Sequence, residues 1–266
     1  MQLNTITPLI LTYNEAPNLD RTLAQLTWAT TIVVVDSYST DATLEIVQRY
    51  PQVKLLQRPF DSFAAQCNFG LSQISSPWVL SLDADYVLSD QLLAEIRALP
   101  DDDTDNASNR AQGHGDRISG YSARFKYCVF GQPLRGTLLP PRQVLYRPPQ
   151  ATYHNDGHAH RVSINGTVRS LSGYIYHDDR KPLSRWLWAQ DRYMLLEAKK
   201  LRETPIPQLS WGDRLRRQTP FAPAVILLYC LILKGGILDG KAGWYYALQR
   251  TLAEILLAIR LSHDEG

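Results

Sequence analysis

The first hundred residues alternate between short apolar runs and segments with helical spacing, and this alternation constrains the fold more than any other feature. Residues 31–35, TIVVV, form a β-branched run without polar alternation, as expected for a strand buried on both faces. Similar runs at 6–12, 53–57 and 77–82 are separated by segments with helical periodicity. Such βαβ units predict right-handed crossovers. We therefore predict an α/β fold with a Rossmann-like, mostly parallel sheet and flanking helices.

The composition limits the class of protein. The chain of 266 residues is 44% hydrophobic, which is enough for a sizeable core, and its net charge of +2 gives no indication of a nucleic-acid partner. Its cysteines, Cys67, Cys128 and Cys230, form no C-x-x-C pair, so we expect neither a zinc site nor a disulfide framework, and a reducing compartment fits. The first residues have the pattern of a strand rather than of a signal peptide.

Polar side chains follow three of the predicted strands. They are Thr12, Tyr13, Asn14 and Glu15 after the first strand, Asp36 after the second, and Asp83 and Asp85 after the fourth. Because ligands of open parallel sheets bind beyond the carboxyl ends of the strands, we expect these side chains to share one site. The first strand–helix turn, YNEAPN, contains no glycine, so it lacks the dinucleotide-binding fingerprint, and the chain has no P-loop.

The acidic pair in SLDADYVLS requires an explanation, because Asp is disfavoured in strands and two neighbouring carboxylates repel each other. A divalent cation would resolve the repulsion, and hard oxygen ligands suit Mg²⁺ or Mn²⁺. We therefore predict that Asp83 and Asp85 hold a metal that neutralises a nucleotide diphosphate. The alternative is a strand that ends in a polar turn, with Ser89 as the N-cap of the next helix.

Four ordered segments, LTYNEAPNL, VVVDSYSTDAT, RPFDSFAAQCNFGL and SLDADYVLS, resemble inverting family 2 glycosyltransferases of the GT-A fold. Two later segments, HDDRKPLSRWLWAQDRYMLLEAKKL and KGGILDGKAGWYYAL, resemble the branch that contains lipopolysaccharide-core β-glucosyltransferases. The resemblance implies a metal-dependent enzyme that moves a sugar from a nucleotide diphosphate sugar, expected to be UDP-linked, to a glycan or lipid-linked hydroxyl. The expected product is a β-linkage in cell-envelope polysaccharide or lipopolysaccharide.

The same resemblance implies a domain organisation and a location. Residues 1–180 would form the GT-A domain for nucleotide-sugar binding and catalysis, with a flexible loop at 100–118. Residues 181–266 would form a helical C-terminal region. The expected location is the cytoplasm, at the inner face of the cytoplasmic membrane.

The resemblance also assigns site residues. Thr12, Tyr13, Asn14, Glu15 and Asp36 would hold the base and ribose, Arg58, Gln66 and Asn68 would lie on the donor side, and Asp85 would ligate the metal, with Asp83 at the ribose or a metal-bound water. Three of these assignments have a structural alternative. Glu15 could favour the dipole of the first helix, Asp36 could form an Asx-turn or N-cap, and Gln66 or Asn68 could be an exposed polar helix position.

Inversion at a sugar carbon needs a general base for the acceptor hydroxyl. In ATYHNDGHAHRV, where many relatives show a His-Glu pair, this chain has His160 followed by Arg161. We therefore predict Asp156 as the base and His158 as the alternative, although Asp156 could also simply belong to a turn.

Two further polar residues have open assignments. His177 follows a strand and could complete the metal or diphosphate site, or act as a structural hydrogen-bonding group. Arg142 could contact phosphate or be an ordinary surface residue.

The C-terminal third has the composition of a membrane-surface region. Residues 180–217 carry many cations with Trp186, Trp188 and Trp211 interleaved, and the apolar run at 221–233 is too short to span a bilayer. Apolar residues near helical spacing follow from Trp244 onward. We predict amphipathic helices on an anionic membrane surface. The alternative is that these helices cap the sheet or form a dimer interface.

Two other functions are open at this point. A nucleotidyltransferase would need a Gly-rich basic loop after the first strand, which TYNEAPN does not supply. A catalytically silent, membrane-attached nucleotide-sugar-binding protein is favoured by one feature, the missing His-Glu pair.

Overall fold

The computed structural model describes residues 1–100, 117–156 and 159–263, without the side chains of residues 156–160. The chain divides into two compact units. The first comprises Met1–Phe125, Leu139–Asn155 and His160–Arg180, and the second comprises Lys126–Leu138, Asp156–Ala159 and Lys181–Gly266. The predicted loop at 100–118 lies almost wholly outside the described residues, and the domain boundaries drawn from the sequence stay a prediction.

The described residues contain eleven strands. They are β1 (Ile6–Thr12), β2 (Ile32–Asp36), β3 (Val53–Gln57), β4 (Trp78–Asp83), β5 (Tyr86–Leu88), β6 (Ile118–Val129), β7 (Gln132–Pro133), β8 (Arg142–Tyr146), β9 (Ala151–Asp156), β10 (Ala159–Ile164) and β11 (Thr167–His177). The main sheet has the order β3-β2-β1-β4-β8-β6-β11-β5, and β9 and β10 form a separate pair. The first four strands pair in parallel, as predicted. Strand β8 is antiparallel to β4 and β6, and β5 is antiparallel to β11. The later strands of the chain therefore extend the parallel sheet with antiparallel pairs.

The sheet curls because β4 and β5 are consecutive in the chain but distant in strand order. Only Ala84 and Asp85 separate the two strands, whereas β8, β6 and β11 lie between them along the sheet. The far edge of the sheet therefore returns to the carboxyl end of β4.

Apolar clusters cover both faces of the parallel strands. Ile10, Val34 and Leu80 pack in one cluster, while Leu9 and Val35, their neighbours in sequence, pack in another. Since successive side chains of a strand point to opposite faces, burial on both sides explains the continuous apolar runs of the sequence. The α/β fold class with flanking helices is confirmed.

Four helices follow the first strands: α1 (Leu19–Ala24), α2 (Thr43–Gln48), α3 (Phe63–Ser72) and α4 (Asp90–Ala98). Ser89 caps α4 as predicted, because its side chain accepts a hydrogen bond from Leu92 N–H. Ser39 and Thr40, which precede α2 and are residue types that cap helices well, do not cap it. Ala42 occupies the cap position, and the Ser39 side chain is engaged by Asp36 and by the backbone of Asn14.

The second unit contains α5 (Leu183–Glu203), α6 (Trp211–Gln218), α7 (Ala222–Leu228) and α8 (Gly240–Ser262). A π-helical turn, Tyr229–Leu233, continues α7, and a 3₁₀ turn, Gly236–Asp239, leads into α8. In the described part of the chain no single helix is long and apolar enough to cross a membrane. The pair Ala222–Leu233 and Gly236–Ser262, bent by 68°, has that length and composition only when taken together, and buried helices of soluble proteins pass the same test.

Candidate active site

Asp36 connects the carboxyl ends of three neighbouring strands. Its side chain is completely buried. Oδ1 accepts hydrogen bonds from Thr12 Oγ1 at 2.8 Å and Ser39 Oγ at 2.5 Å, and Oδ2 accepts from Ser39 N–H at 2.9 Å and, more weakly, from Gln57 Nε2 at 3.4 Å. The Asp36 side chain thus has a structural role, although its bond to the backbone reaches three residues on rather than two as in an Asx-turn, and Ala42 is the N-cap of α2. A contact with the base or ribose stays a prediction.

The loops after β1 and β2 are joined by side-chain hydrogen bonds. Asn14 donates its N–H to Ser39 Oγ at 2.8 Å, and its Oδ1 accepts from Thr40 N–H at 2.8 Å. Glu15 N–H donates to Thr43 Oγ1 at 2.8 Å. Asn14 has the left-handed φ of 56°, which Asn tolerates better than most residues. Glu15 precedes α1 rather than lying in its first turn, so the alternative helix-dipole role of Glu15 is wrong, and its contact with the base or ribose stays a prediction.

Two exposed tyrosines lie in these loops. Tyr13 is 43% exposed and Tyr38 is 52% exposed. Tyr38 has a φ of 58°, which is rare for an aromatic residue and is the kind of backbone strain that concentrates at functional sites. An exposed aromatic ring beside Asp36 suits stacking on a nucleotide base. Sequence reasoning missed Tyr38, because positive φ at a non-glycine residue leaves no sequence pattern.

Gln66, Asn68 and Arg58 hold loops and strands in place. Gln66 is 1% exposed and its Nε2 donates to Pro59 O at 2.9 Å, so the interpretation of Gln66 as an exposed helix position is wrong. Asn68 exchanges two hydrogen bonds with the backbone of Tyr153 in β9, at 2.9 and 3.0 Å. Arg58 forms an ion pair with Asp61. Donor-side roles for all three stay predictions.

The acidic turn between β4 and β5 is held by α1. Thr22 is completely buried, and its Oγ1 lies 2.6 Å from Ala84 O and 3.1 Å from Tyr86 O. Gln25 Nε2 donates to Tyr86 O at 3.0 Å. Sequence reasoning missed these residues. The sequence contained a signal for Thr22, because it lies three residues after Leu19, on the same face of the helix as the apolar stripe that Leu19 begins.

His177 lies beside Asp85. The antiparallel pairing of β11 with β5 sets His177 opposite Tyr86, the residue after Asp85. His177 Nε2 is 3.0 Å from Asp85 Oδ2, and the imidazole is mostly buried. Burial lowers the pKa of His177, but the carboxylates of Asp85, Asp83 and Asp179 favour the imidazolium, and the net shift of the pKa is upward. The structure thus brings Asp85 and His177 together, and this contact is compatible with both interpretations of His177, which stay open.

Arg142 lies near the same acidic turn. Its Nη1 is 3.4 Å from the hydroxyl of Tyr86. Burial of Tyr86 and the neighbouring Asp83 raise the pKa of the Tyr86 hydroxyl well above its ordinary value, and Arg142 opposes that shift. Arg142 therefore supplies positive charge next to Asp83, which fits a phosphate contact. That contact stays a prediction.

The HDDR segment that follows β11 is fixed to α1. Asp178 is buried and accepts from Arg180 Nη2 at 2.8 Å and Nε at 3.0 Å. Asn18, at the start of α1, donates to Asp179 Oδ1 at 2.9 Å and accepts from Arg180 N–H at 2.9 Å. This anchoring fixes the backbone next to His177.

The donor chemistry of the acidic turn fits a hard divalent cation. Asp83 and Asp85 supply carboxylate oxygens, whereas the imidazolium form of His177, favoured beside Asp85, has no free nitrogen for a metal. Throughout the described ranges no group of three or more His, Cys, Asp or Glu side chains has the arrangement of a complete metal centre. A cation at this turn would need water and the substrate phosphates as its further ligands, as Mg²⁺ commonly has in nucleotide enzymes.

The predicted general base lies at the edge of the described structure. Asp156 is the last residue of β9, and its side chain lies outside the described residues, as does all of His158. The assignment of the base to Asp156 or His158 stays a prediction.

Replacing Thr22 with Val is expected to destabilise the protein by about 1–3 kcal/mol, because the change keeps the side-chain shape but removes the buried hydroxyl that donates to Ala84 O. Tyr86 O keeps its hydrogen bond from Gln25 Nε2. The affinity for UDP in the presence of Mn²⁺, measured by calorimetry, should also fall, because the acidic turn loses its support. The matched control is Thr5→Val, whose hydroxyl bonds to an exposed carbonyl that water can satisfy instead. Equal unfolding midpoints and nucleotide affinities in the two variants would contradict the prediction.

Comparison with known proteins identifies the family. The sequence model described as "Glycosyl transferase family 2" matches residues 9–146. The lipopolysaccharide core biosynthesis glycosyltransferase LpsC of Rhizobium meliloti (strain 1021) is 34% identical over 104 residues, which are 36% of this chain and 38% of that protein. An uncharacterized glycosyltransferase of Rickettsia bellii (strain RML369-C) is 34% identical over 92 residues, 34% of this chain and 31% of that protein. The matches thus span about a third of the length of these curated relatives.

A solved structure shows the fold. The mannosyltransferase PcManGT from Pyrobaculum calidifontis, in complex with GDP-Man and Mn²⁺, has a TM-score of 0.52 and 15% identity. The similarity covers 98% of this chain and 88% of that one. The family model matches more than half of the chain, and the solved structure has the same fold, so the family and fold predicted from the strand-end motifs are confirmed: the protein belongs to glycosyl transferase family 2 and has the GT-A fold.

Proposed function

We propose that the protein transfers a sugar from a nucleotide diphosphate sugar, expected to be UDP-linked, to a hydroxyl of a glycan or lipid-linked acceptor. The sugar carbon would be inverted, giving a β-linkage, and activity would require Mg²⁺ or Mn²⁺. The observation that carries the proposal is the position of the acidic turn. The strand register places Asp83 beside Leu11 of β1, and the next residue of β1, Thr12, beside Asp36 of β2.

This register separates two parts of a donor site. The base and ribose would lie against the loops after β1 and β2, near Tyr13, Tyr38 and Asp36. The diphosphate would lie at the turn of Asp83 and Asp85, where a divalent cation would supply charge neutralisation and Lewis-acid assistance to the leaving diphosphate. The Mn²⁺ and GDP-Man bound by PcManGT support a metal-dependent nucleotide site on this fold.

The proposed reaction is a single in-line displacement. Asp156 takes the proton of the acceptor hydroxyl, and that oxygen forms a bond to the anomeric carbon. The bond between the anomeric carbon and the donor phosphate oxygen breaks, and its electron pair leaves with the nucleoside diphosphate. No covalent enzyme intermediate is required, because inversion needs one displacement only.

The relatives suggest where the acceptor belongs. LpsC is named for lipopolysaccharide core biosynthesis. We therefore propose an acceptor in lipopolysaccharide or another cell-envelope glycan, and a place of action at the inner face of the cytoplasmic membrane.

The test is calorimetric binding of UDP, GDP, ADP and CDP to the full chain, with and without Mn²⁺. We expect UDP to bind, and to bind at least about tenfold more tightly with Mn²⁺, since the carboxylate pair repels an uncompensated diphosphate. Absence of binding by any nucleoside diphosphate to the folded protein would overturn the proposed donor site. A preference for GDP would overturn the uridine assignment alone.

A turnover assay separates the transferase from a silent binding protein. UDP-sugars would be incubated with the enzyme, Mn²⁺ and extracted lipopolysaccharide core acceptors, and released UDP would be measured. If the protein binds UDP but the acceptors increase UDP release from none of the UDP-sugars, the proposed transfer to that acceptor class is contradicted.

A further inference from the structure

The second unit carries an apolar tip whose role the transferase reaction does not explain. We define the tip by four exposed apolar residues and two lysines: Phe130, Leu233, Ile237, Leu238, Lys234 and Lys241. The exposed fractions of the apolar members are 61%, 75%, 55% and 68% in that order. Exposure of this extent at neighbouring large apolar side chains is typical of interaction surfaces rather than of ordinary surface.

Phe130 is held in an unfavourable backbone conformation. It and Gly131 are the two residues of the β6–β7 hairpin loop, and both have positive φ, 54° and 75°. Loops of this type favour Asn or Asp at the first position. A bulky aromatic residue there costs on the order of 1–3 kcal/mol. Within the chain the ring contacts Tyr245, with 5.0 Å between the ring centres, but it remains 61% exposed, so contact with another molecule would bury the part that the chain leaves uncovered.

The tip is rigidly supported from within its own unit. Asp239 accepts from Arg135 N–H at 3.0 Å and pairs with Arg135 Nε at 3.2 Å, and Tyr246 OH accepts from Leu138 N–H at 2.9 Å. These bonds tie the segment after the β6–β7 hairpin to the turn between α7 and α8. A Cβ added to Gly243 would lie 1.8 Å from Gly236 O, so that turn packs closely on α8. The aliphatic side chains are therefore presented outward on a fixed frame.

The positive charge of the tip favours a negatively charged partner. Asp239 is paired with Arg135, which leaves the tip a net positive charge from its two lysines. Lys241 Nζ lies 5.6 Å from the ring centre of Phe130, and Lys234 Nζ lies 5.4 Å from that of Tyr229. Aliphatic and aromatic side chains flanked by lysines match the interface of an anionic bilayer, where the apolar groups enter the acyl boundary and the ammonium groups meet lipid phosphates.

We propose that this tip inserts into the surface of an anionic lipid bilayer and anchors the protein there. The sequence predicts a membrane surface for the whole C-terminal third. Within that third, the proposed contact is this tip rather than the basic, Trp-containing region 180–217. The proposal does not depend on the donor or acceptor of the transferase reaction. The membrane contact can therefore be disproved while the proposed transfer reaction stands, and the transfer reaction can be disproved while the membrane contact stands.

The direct test uses single introduced cysteines in the full chain. The three native cysteines are buried, so an exposed cysteine can be labelled selectively. Leu238→Cys and Ile206→Cys would each carry an environment-sensitive fluorophore, since Ile206 is an exposed aliphatic residue of region 180–217. With vesicles of phosphatidylcholine that contain phosphatidylglycerol as the anionic lipid, we expect a blue shift at position 238 only. A shift at position 206 alone, or at neither position, would overturn the proposal.

Vesicle co-sedimentation gives an independent measure. The double variant Leu233→Ser/Leu238→Ser should bind anionic vesicles at least about tenfold more weakly than wild type, because two apolar anchors are lost. Ile206→Ser should bind as wild type does, and wild type should bind neutral vesicles more weakly. Unchanged binding by the double variant would overturn the proposal. A second result would also overturn it: the wild type binds no vesicles but forms a dimer, and the double variant is monomeric. In that case a second copy of the chain would cover the tip.

Discussion

Replacing Asp85 with Asn is expected to lower kcat for sugar transfer by about 10²–10³-fold, the loss typical when a group that stabilises transition-state charge is removed. The substitution keeps the shape of the side chain beside His177 but removes the negative charge. A neutral amide is a poor ligand for a hard divalent cation, so the leaving diphosphate would lose its charge compensation. The measurement is the rate of UDP release with saturating donor, acceptor and Mn²⁺.

The matched control is Asp90→Asn. Asp90 is exposed in the first turn of α4, so its loss should cost only a small helix-dipole contribution and leave kcat unchanged. Calorimetry adds a second readout, because the Mn²⁺-dependent part of UDP binding should disappear in Asp85→Asn alone. If Asp85→Asn has the kcat and the Mn²⁺ dependence of the wild type, the prediction is wrong. Asp85 would then have only a structural role, as the hydrogen-bonding partner of His177.

The parts of the site that depend on local sequence were predictable. Strands β1, β2 and β4 are apolar runs buried on both faces, and their polar ends follow directly from where the runs stop. Asp36, Asp83 and Asp85 could therefore be placed at one edge of the sheet before the structure was known. The rule that ligands bind beyond the carboxyl ends of parallel strands supplied the rest.

The parts that depend on non-local pairing were not predictable in detail. His177 reaches Asp85 only because the sheet curls and β11 pairs with β5 in a particular register, 92 residues away in sequence. Thr22 supports the acidic turn from another element. The Ser39 hydroxyl donates to Asp36 instead of capping α2 for a related reason, because this hydrogen bond depends on backbone geometry that the sequence does not reveal.

Replacing Asp36 with Ala is expected to destabilise the first unit by roughly 2–4 kcal/mol, because several donors in a buried site lose their acceptor together. Ser39 N–H is fixed by the backbone and cannot turn toward another partner, whereas the hydroxyls of Thr12 and Ser39 can rotate. The measurement is urea unfolding followed by circular dichroism. Asp20→Ala is the control, since Asp20 forms an exposed ion pair with Arg49 at 3.2 Å that should contribute at most about 1 kcal/mol.

Nucleotide binding by the Asp36 variants separates the structural role of this carboxylate from a contact with the donor. Asp36→Asn keeps an acceptor for the hydroxyls of Thr12 and Ser39, so a larger folded fraction should remain than in Asp36→Ala. If Asp36 accepts a hydrogen bond from the base or ribose, the Kd of the folded Asp36→Asn protein for UDP should rise about tenfold, the effect of one hydrogen bond to a charged group. An unchanged Kd in that folded protein would show that Asp36 only connects strand ends, and base recognition would then rest on the exposed rings of Tyr13 and Tyr38.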